Sequence, residues 1–197
     1  AICLVFDDGY YDFYRFIFPL LKKYNLKAVL AVVPKYILES CDEEDTIRLN
    51  HEHNHLFQNY EKGTFCTYEE LKEMIQSGLL QVASHSYSHV NLLDKDIDLE
   101  QELLHSKEVL EEKLNIKVES FVYPFGKYDQ NILNETKKHY QYSFRIGNAI
   151  NKDFTGVNGV IYRIDGDNLN TASEIFSFKN MIRFHIKSII KKIVGNR

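Results

Sequence analysis

The sequence LVFDDGY, residues 4–10, leads from an apolar run directly into two adjacent carboxylates and a glycine. The run from Ile2 to Phe6 is continuous and partly β-branched, which is typical of a strand covered on both faces in a parallel sheet. Two neighbouring carboxylates repel each other, so Asp7 and Asp8 together need a nearby cation or a shared proton. An ordinary solvated Asp-Asp-Gly turn is the alternative for this stretch taken alone.

Predicted strands and helices alternate along the rest of the chain. Further strands are predicted at 27–33, 79–83, 118–122, 142–145 and 160–164, and helices at 12–24, 67–78, 97–114, 132–139 and about 171–194. We expect the first helix to kink or restart at Pro19, and the Thr67/Glu70 and Thr171/Glu174 pairs to form capping boxes. This alternation predicts an α/β fold whose parallel sheet is open or closed into a barrel, with its chemistry at the carboxyl ends of the strands.

Size and charge restrict the functions to consider. The 197 residues suit a single domain over 1–197, with a long irregular loop at about 36–63. A net charge of −4 gives no basic footprint, so we expect no binding to nucleic acid. No apolar run reaches the roughly 18 residues of a membrane span. The oligomeric state is left open.

Cysteine usage bears on the cellular compartment. The three cysteines, Cys3, Cys41 and Cys66, form no C-x-x-C pair, which predicts reduced thiols in a cytoplasmic setting. Because Ile2 already reads as strand, the chain is expected to be cut from a longer protein, and an envelope location is the alternative if a targeting segment precedes it.

The sequence SHSYSH, residues 84–89, follows the third predicted strand. His85 and His89 are four residues apart, so one helical turn would point both rings in the same direction. Two surface histidines on a helix are the alternative for this pair alone. Two imidazoles and one carboxylate would bind zinc or another divalent transition metal and leave positions open for water and substrate. We therefore expect a metal centre.

A third segment, FVYPFG at residues 121–126, also ends a predicted strand. Its Pro-Phe-Gly sequence predicts a stiff turn that can present backbone N–H groups to a ligand, with an ordinary β-to-α turn as the alternative. In this order, FDDG, SHSYSHVNL and YPFG resemble the three motifs of the polysaccharide deacetylases, carbohydrate esterase family 4 with its NodB homology domain. The resemblance extends from Ile2 to about Arg163.

This resemblance implies a fold and a reaction. The implied fold is a distorted (β/α) barrel with about seven strands, similar to a TIM barrel. The implied activity is metal-dependent hydrolysis of acetyl groups from an N-acetylated or O-acetylated glycan. The implied metal ligands are Asp8, His85 and His89, with zinc expected first and cobalt, nickel or manganese as alternatives. Asp7 is implied to be the general base that deprotonates a metal-bound water.

The third motif is implied to bind the substrate through Tyr123, Pro124, Phe125 and Gly126. The backbone N–H of Phe125 would support the oxyanion, and the rings of Tyr123 and Phe125 would stack on a sugar. The family usually places an arginine where this chain has Val122. We predict that Arg163 replaces it and pairs with Asp7.

The family's late histidine, which serves as the general acid, has no visible counterpart. His185 lies in a predicted helix. Three explanations are therefore open: the general acid lies beyond the C-terminal end of this sequence, Asp165 or Asp167 takes its place, or the substrate is an ester whose leaving group needs no such acid. Two rival functions are open, the first motivated by these departures and the second by the fact that one fold can host several activities. One is a catalytically impaired carbohydrate-binding or scaffolding protein of the same fold, and the other is a metal amidase acting on a small non-sugar substrate.

Two segments lie outside the motifs. His51, His53 and His55 alternate within the irregular loop, which predicts a hydrated lid or substrate-selecting loop, with a second metal site as the alternative. The C-terminal helix interleaves isoleucines with lysines; these are Ile186, Ile189, Ile190, Ile193, Lys187, Lys191 and Lys192. We expect it to pack on the barrel, with contact to a membrane surface or a partner as the alternative.

Overall fold

The computed structural model describes residues 2–50, 52–167 and 169–194. The chain divides into two compact units, the first comprising Ala1–Val90 with Glu100–Val118, the second Asn91–Leu99 with Glu119–Arg197. Each unit combines parallel strands with helices. Whether residues 1–197 behave as a single domain stays a prediction.

The first unit is built on three parallel strands, β1 (Leu4–Phe6), β2 (Ala28–Val32) and β3 (Leu80–Ser84). Strand β2 lies in the middle, pairing through Val29 with Val5 of β1 and Gln81 of β3. All five β2 residues are buried. A strand covered on both faces needs such an unbroken apolar run, so its sequence AVLAV follows from its position.

The connections within this unit are helical. A π-helical segment at Phe13–Ile17 leads into α1 (Phe18–Tyr24), and Pro19 lies in the first turn of α1, where its missing N–H is not needed. In place of the predicted kink or restart at Pro19, the helix changes from π-helical to α-helical hydrogen bonding just before the proline, without a break in its helical backbone. The second helix, α2, is the single turn Asp45–Arg48, and α3 (Tyr68–Gln76) begins with the predicted Thr67/Glu70 capping box.

Helix α4 (Ser106–Leu114) follows a second π-helical segment at Gln101–His105. The helical stretch therefore starts later than the predicted Ile97. Its buried apolar side chains are Leu103, Leu110 and Leu114.

The segment 36–63 is anchored by a buried arginine rather than simply hydrated. Arg48 of α2 donates two hydrogen bonds to the carboxylate of Glu70, at 2.7 and 2.9 Å. It also donates to the Gly63 carbonyl at 2.8 Å, and its guanidinium lies 3.4 Å from the centre of the Tyr11 ring. Because a guanidinium buried without such partners would cost several kcal/mol, these contacts hold the segment in place.

The second unit contains β4 (Ser120–Val122), β5 (Tyr142–Ile146) and β6 (Ile161–Arg163), which are parallel and hydrogen-bonded in that order. Helix α5 (Gln130–His139) connects β4 to β5, and the Asp129 side chain caps it by accepting from the Ile132 N–H. The described residues therefore hold six strands, in place of the expected seven or so.

The chain then forms a 3₁₀ turn at Ala172–Phe176 and the long helix α6 (Phe178–Val194). The predicted capping box at Thr171 is wrong: its hydroxyl lies 3.0 Å from the Ser173 hydroxyl and caps no helix, because extended backbone at Ser177 interrupts the helical path. His185 lies in α6, as predicted. Among the described residues, no helix is both long and apolar enough to cross a bilayer.

Candidate functional site

The turn after β1 places Asp8 in an unusual backbone conformation. Asp8 and Gly9 have φ values of 68° and 75°, and the Gly9 N–H donates to the Asp7 carbonyl at 2.8 Å. A Cβ atom on Gly9 would lie 2.8 Å from Cγ1 of Val32, so only glycine fits beside the end of β2. The DDG sequence thus follows from backbone geometry as well as from chemistry.

The two histidines lie in a loop after β3, not on a helical turn. Ser86 and His89 have φ values of 63° and 56°, which no helix permits. The expected helical arrangement is therefore wrong. The His85 N–H donates to the Val32 carbonyl at 2.9 Å and so extends the β2–β3 pairing by one residue. The loop then reverses within four residues and brings His89 back beside His85, their ring centres 4.9 Å apart.

Hydrogen bonds fix this loop. The Ser86 hydroxyl accepts from the His89 N–H at 3.0 Å. The carboxylate of Glu102, which is 5% exposed, accepts from both the Ser88 N–H at 2.9 Å and the Ser88 hydroxyl at 2.6 Å. Sequence analysis missed Glu102, although its position three residues after Leu99 places a charge on the apolar face of a predicted helix, and such a residue needs a partner.

Asp8, His85 and His89 converge on one point. Oδ1 of Asp8 lies 3.5 Å from Nε2 of His85 and 3.2 Å from Nε2 of His89. One ligand atom from each residue lies within 4.8 Å of the others. Ligands about 2.1 Å from a tetrahedral zinc ion lie about 3.4 Å apart, so the two measured separations fit such an ion.

The polar environment of Asp8 also favours a cation. Its Oδ1 is buried and accepts no hydrogen bond from any group in the described part of the chain. Burial and the neighbouring His85 lower the pKa of His89 to about 4, against the smaller opposing effects of Asp8, Asp7 and Glu102. His89 is therefore neutral near pH 7, the form that ligates metals. A buried carboxylate oxygen that accepts no hydrogen bond and lies 3.2 and 3.5 Å from two imidazole nitrogens can be satisfied by a cation held between the three groups, so the residues present fit a divalent metal.

The negative charge of Asp7 acts on the groups around the candidate metal site. The charge of Asp7 opposes the lowering of the His89 pKa. The pKa of Tyr10 is raised mainly by burial and by the charge and hydrogen bond of Asp8, and the charges of Asp12 and Asp7 raise it further. A second carboxylate therefore lies close enough to act on the groups around the candidate metal site.

The sequence model of the polysaccharide deacetylase family matches residues 1–143. The chain belongs to the polysaccharide deacetylase family. It is 30% identical over 139 residues to the putative polysaccharide deacetylase YxkH of Bacillus subtilis, covering 70% of this chain and 41% of that protein. Over 88 residues it is 30% identical to the poly-beta-1,6-N-acetyl-D-glucosamine N-deacetylase of Escherichia coli K12, covering 45% of this chain and 12% of that protein. The chain thus spans less than half the length of these relatives.

Solved structures show the deacetylase fold. The structure of the Streptococcus pyogenes deacetylase PplD in complex with acetate superposes with a TM-score of 0.64 and 23% sequence identity. The match covers 92% of this chain and 68% of the PplD chain. A de-N-acetylase from Aggregatibacter actinomycetemcomitans superposes with a TM-score of 0.67 and 22% sequence identity. The match covers 93% of this chain and 74% of the de-N-acetylase chain. The predicted α/β fold class, the distorted (β/α) barrel of the deacetylases, is confirmed, with six described strands.

In this deacetylase-family chain, an aromatic cluster from the segment 36–63 reaches the candidate metal site through Phe57. The Phe57 ring stacks on His89 with centres 4.8 Å apart and planes 16° apart. Tyr36 meets Phe57 and Tyr60 edge-on at 5.0 and 5.4 Å. Phe57 is a second residue that sequence analysis missed, because the contact joins positions 32 residues apart across an irregular segment.

The histidines of that segment are only partly described. His51 and the side chain of His53 lie outside the described residues. His55 is exposed, with Nδ1 3.6 Å from the carboxylate of Glu52. The alternative of a second metal site stays a prediction, as does the role of a lid.

The family's third motif forms the turn Pro124–Gly126 after β4. Phe125 has a φ of 56° and is 61% exposed, so its ring is accessible to a ligand, while Pro124 and Gly126 are buried. Tyr123 is 1% exposed and its ring stacks on Tyr128 at 4.5 Å. The expectation that Tyr123 offers a stacking face is therefore corrected: it is a core residue that supports the turn.

Arg163 ends β6, and its carbonyl accepts from the N–H groups of Gly147 and Asn148 at 3.2 and 2.9 Å. Its side chain is half-buried. The pairing of Arg163 with Asp7, and its role as a catalytic residue, stay predictions. So does the choice of Asp165 or Asp167 as general acid.

Proposed function

We propose that this chain is a metal-dependent hydrolase that removes acetyl groups from an N-acetylated glycan. Asp8, His85 and His89 hold a divalent metal, zinc in the first place, and Asp7 is the general base. One observation carries the proposal. A buried carboxylate oxygen that accepts no hydrogen bond in the described part of the chain lies 3.2 and 3.5 Å from two imidazole nitrogens, with a second carboxylate on the preceding residue.

The chemistry follows from these positions. A divalent ion held there lowers the pKa of water and polarises the acyl oxygen. Asp7 accepts a proton from the attacking water, which requires that Asp7 stay uncoordinated while Asp8 ligates.

The substrate class rests on the relatives and on the aromatic lining. One relative is an N-deacetylase named for poly-beta-1,6-N-acetyl-D-glucosamine, which supports an N-acetylated hexosamine as substrate. Phe57 stacks on His89, and Tyr36 and Tyr60 continue the cluster from Phe57; all three are partly exposed, and aromatic rings of this kind provide flat apolar faces for sugar rings. O-acetylated glycans remain a second substrate class to include in the assay.

The test separates metal binding from proton transfer. We expect purified protein loaded with zinc to release acetate from N-acetylglucosamine oligomers and to lose this activity with a chelator. Asp8→Asn should lose both bound zinc and turnover. Asp7→Asn should keep zinc and lose turnover by about 10²- to 10⁴-fold, because it removes only the general base. Asp12→Asn, an exposed neighbour, is the matched control and should keep both.

A catalytically impaired glycan-binding protein is the second candidate, favoured by Val122 at the position of the family's arginine. Glycan binding without acetate release from any oligomer would support it and contradict the hydrolase. Acetate release from small non-sugar amides alone would instead support a metal amidase. Full activity of Asp7→Asn would show that Asp7 is not the base.

A further inference from the structure

Helix α6 turns one face towards its own unit. Phe184 is its only buried residue, and the Ser188 hydroxyl donates to the Ile150 carbonyl at 2.7 Å and accepts from the Ile150 N–H at 2.8 Å. Nζ of Lys191 lies 4.2 Å from the centre of the Tyr162 ring. Residues 184, 188 and 191 lie on one side of a helix, so this side is the packed face.

The opposite face is apolar and exposed. Six large apolar side chains of α6 are between 44% and 84% exposed: Phe178, Ile182, Ile186, Ile189, Ile190 and Ile193. Spacings of three and four residues place them in one stripe along a helix of 17 residues, about 26 Å long. Single exposed apolar residues are ordinary, but a contiguous row of this length marks an interaction surface.

Charge is segregated onto the same helix. Residues 178–194 contain five of the chain's 24 lysines and arginines and none of its 28 aspartates and glutamates. The helix therefore carries +5, while the remaining residues carry a net −9. Lys179, Arg183, Lys187 and Lys192 lie within or beside the apolar stripe when the helix is viewed along its axis.

We propose that the exposed face of α6 binds the surface of a bilayer that contains anionic lipid, with the helix axis parallel to the membrane plane. The stripe enters the boundary between headgroups and acyl chains, and the flanking lysines and arginine contact anionic headgroups. The alternation of basic and apolar side chains matches this environment. A second copy of the helix does not, because two faces of the same strong positive charge would be opposed. This inference does not rest on the proposed catalytic function.

Co-sedimentation of the full chain with large vesicles tests the proposal. We expect the protein to pellet with phosphatidylcholine vesicles containing phosphatidylglycerol, and not with phosphatidylcholine alone, at physiological salt. The double variant Ile186→Ser with Ile189→Ser should reduce binding at least tenfold by removing apolar area. Lys187→Gln with Lys192→Gln should reduce it by about 30-fold, since each basic residue near an anionic surface contributes about 1 kcal/mol.

Matched controls exclude general effects of the substitutions. Leu20→Ser with Leu26→Ser removes comparably exposed apolar side chains elsewhere and should leave vesicle binding unchanged. Lys27→Gln with Lys127→Gln is the control for charge. Far-ultraviolet circular dichroism and the melting temperature report whether each variant is folded.

Three results would overturn the proposal. They are absence of binding to either vesicle, equal binding to both vesicles, and binding that the α6 variants do not reduce. Sedimentation velocity can give a fourth result that would overturn it. Self-association abolished by the isoleucine variant, without vesicle binding, would assign this face to an interface between copies of the chain.

Discussion

At the scale of single residues, two of the three candidate metal ligands occupy strained backbone. Asp8 and His89 have φ values of 68° and 56°, in a region that aspartate and histidine enter only occasionally. Each such residue costs about 1–3 kcal/mol and persists only where the surroundings determine it. The strain lies where the side chains converge, which is where a functional site would place it.

The low pKa of His89 makes the metal-free protein sensitive to acid. The folded pKa is about 4 and the unfolded value 6.5, so the folded state binds fewer protons between these values. The contribution to stability is fully present above pH 6.5 and is lost as pH falls towards 4. We expect urea unfolding of chelator-treated protein to show a loss on the order of 3 kcal/mol over this range.

His89→Gln should lose less stability over the same pH range, because glutamine does not titrate. His185→Gln, on the exposed side of α6, is the control and should behave as the wild type. Identical pH dependence in the wild type and His89→Gln would contradict the prediction.

The second residue prediction concerns Arg163. If its guanidinium pairs with Asp7, Arg163→Ala removes a charge that favours the ionised carboxylate, and the acidic limb of the pH profile should move to higher pH. We expect kcat/KM for acetate release to fall about 10- to 100-fold, the usual effect of removing a group that orients a catalytic residue. Arg15→Ala, which breaks an exposed ion pair with Asp45, is the control. Unchanged turnover with an unchanged pH profile would end the assignment.

At the scale of elements, the site depends on a loop held from a neighbouring helical segment. Glu102 fixes Ser88, the residue before His89, through two hydrogen bonds. The segment 36–63 supplies a second support, since Phe57 stacks on His89 and Arg48 anchors the segment to Glu70. The ring of His89 is thus oriented from two sides by residues that are not themselves ligands.

Removing the Glu102 carboxylate should loosen the histidine loop. Glu102→Gln keeps the size of the side chain and loses the charge that strengthens both hydrogen bonds. We expect zinc affinity, measured by competition with a chromogenic chelator, to fall about 10- to 100-fold. Glu108→Gln, on the exposed side of α4, should leave affinity unchanged. A lower melting temperature with unchanged zinc affinity would show that Glu102 supports the fold and not the site.

At the scale of the whole molecule, metal binding should be visible as stability. A ligand that binds only the folded state stabilises by about 2.7 kcal/mol at 100 times its Kd. For a chain of this size that corresponds to a rise in Tm of about 5–10 °C. We expect zinc to produce this rise in the wild type and not in Asp8→Asn, measured by differential scanning fluorimetry. An equal rise in both would place the stabilising zinc somewhere else.

The sequence by itself determined the fold class and pointed to the candidate metal ligands. Buried parallel strands need continuous apolar runs, and helices need periodic ones, so both patterns are local and visible. The ligands stand in short motifs at strand ends, where the order of the motifs identifies the family.

Only the tertiary structure decided how those ligands meet. The histidine loop is not helical, Tyr123 is a core residue, and Glu102 and Phe57 support His89 from distant positions. Such contacts depend on which segments pack together, and the packing of distant segments cannot be predicted from residue spacing or composition. The sequence also did not decide which face of α6 is exposed. An amphipathic pattern shows that a helix has an apolar and a polar face, but it does not show which face the rest of the chain covers.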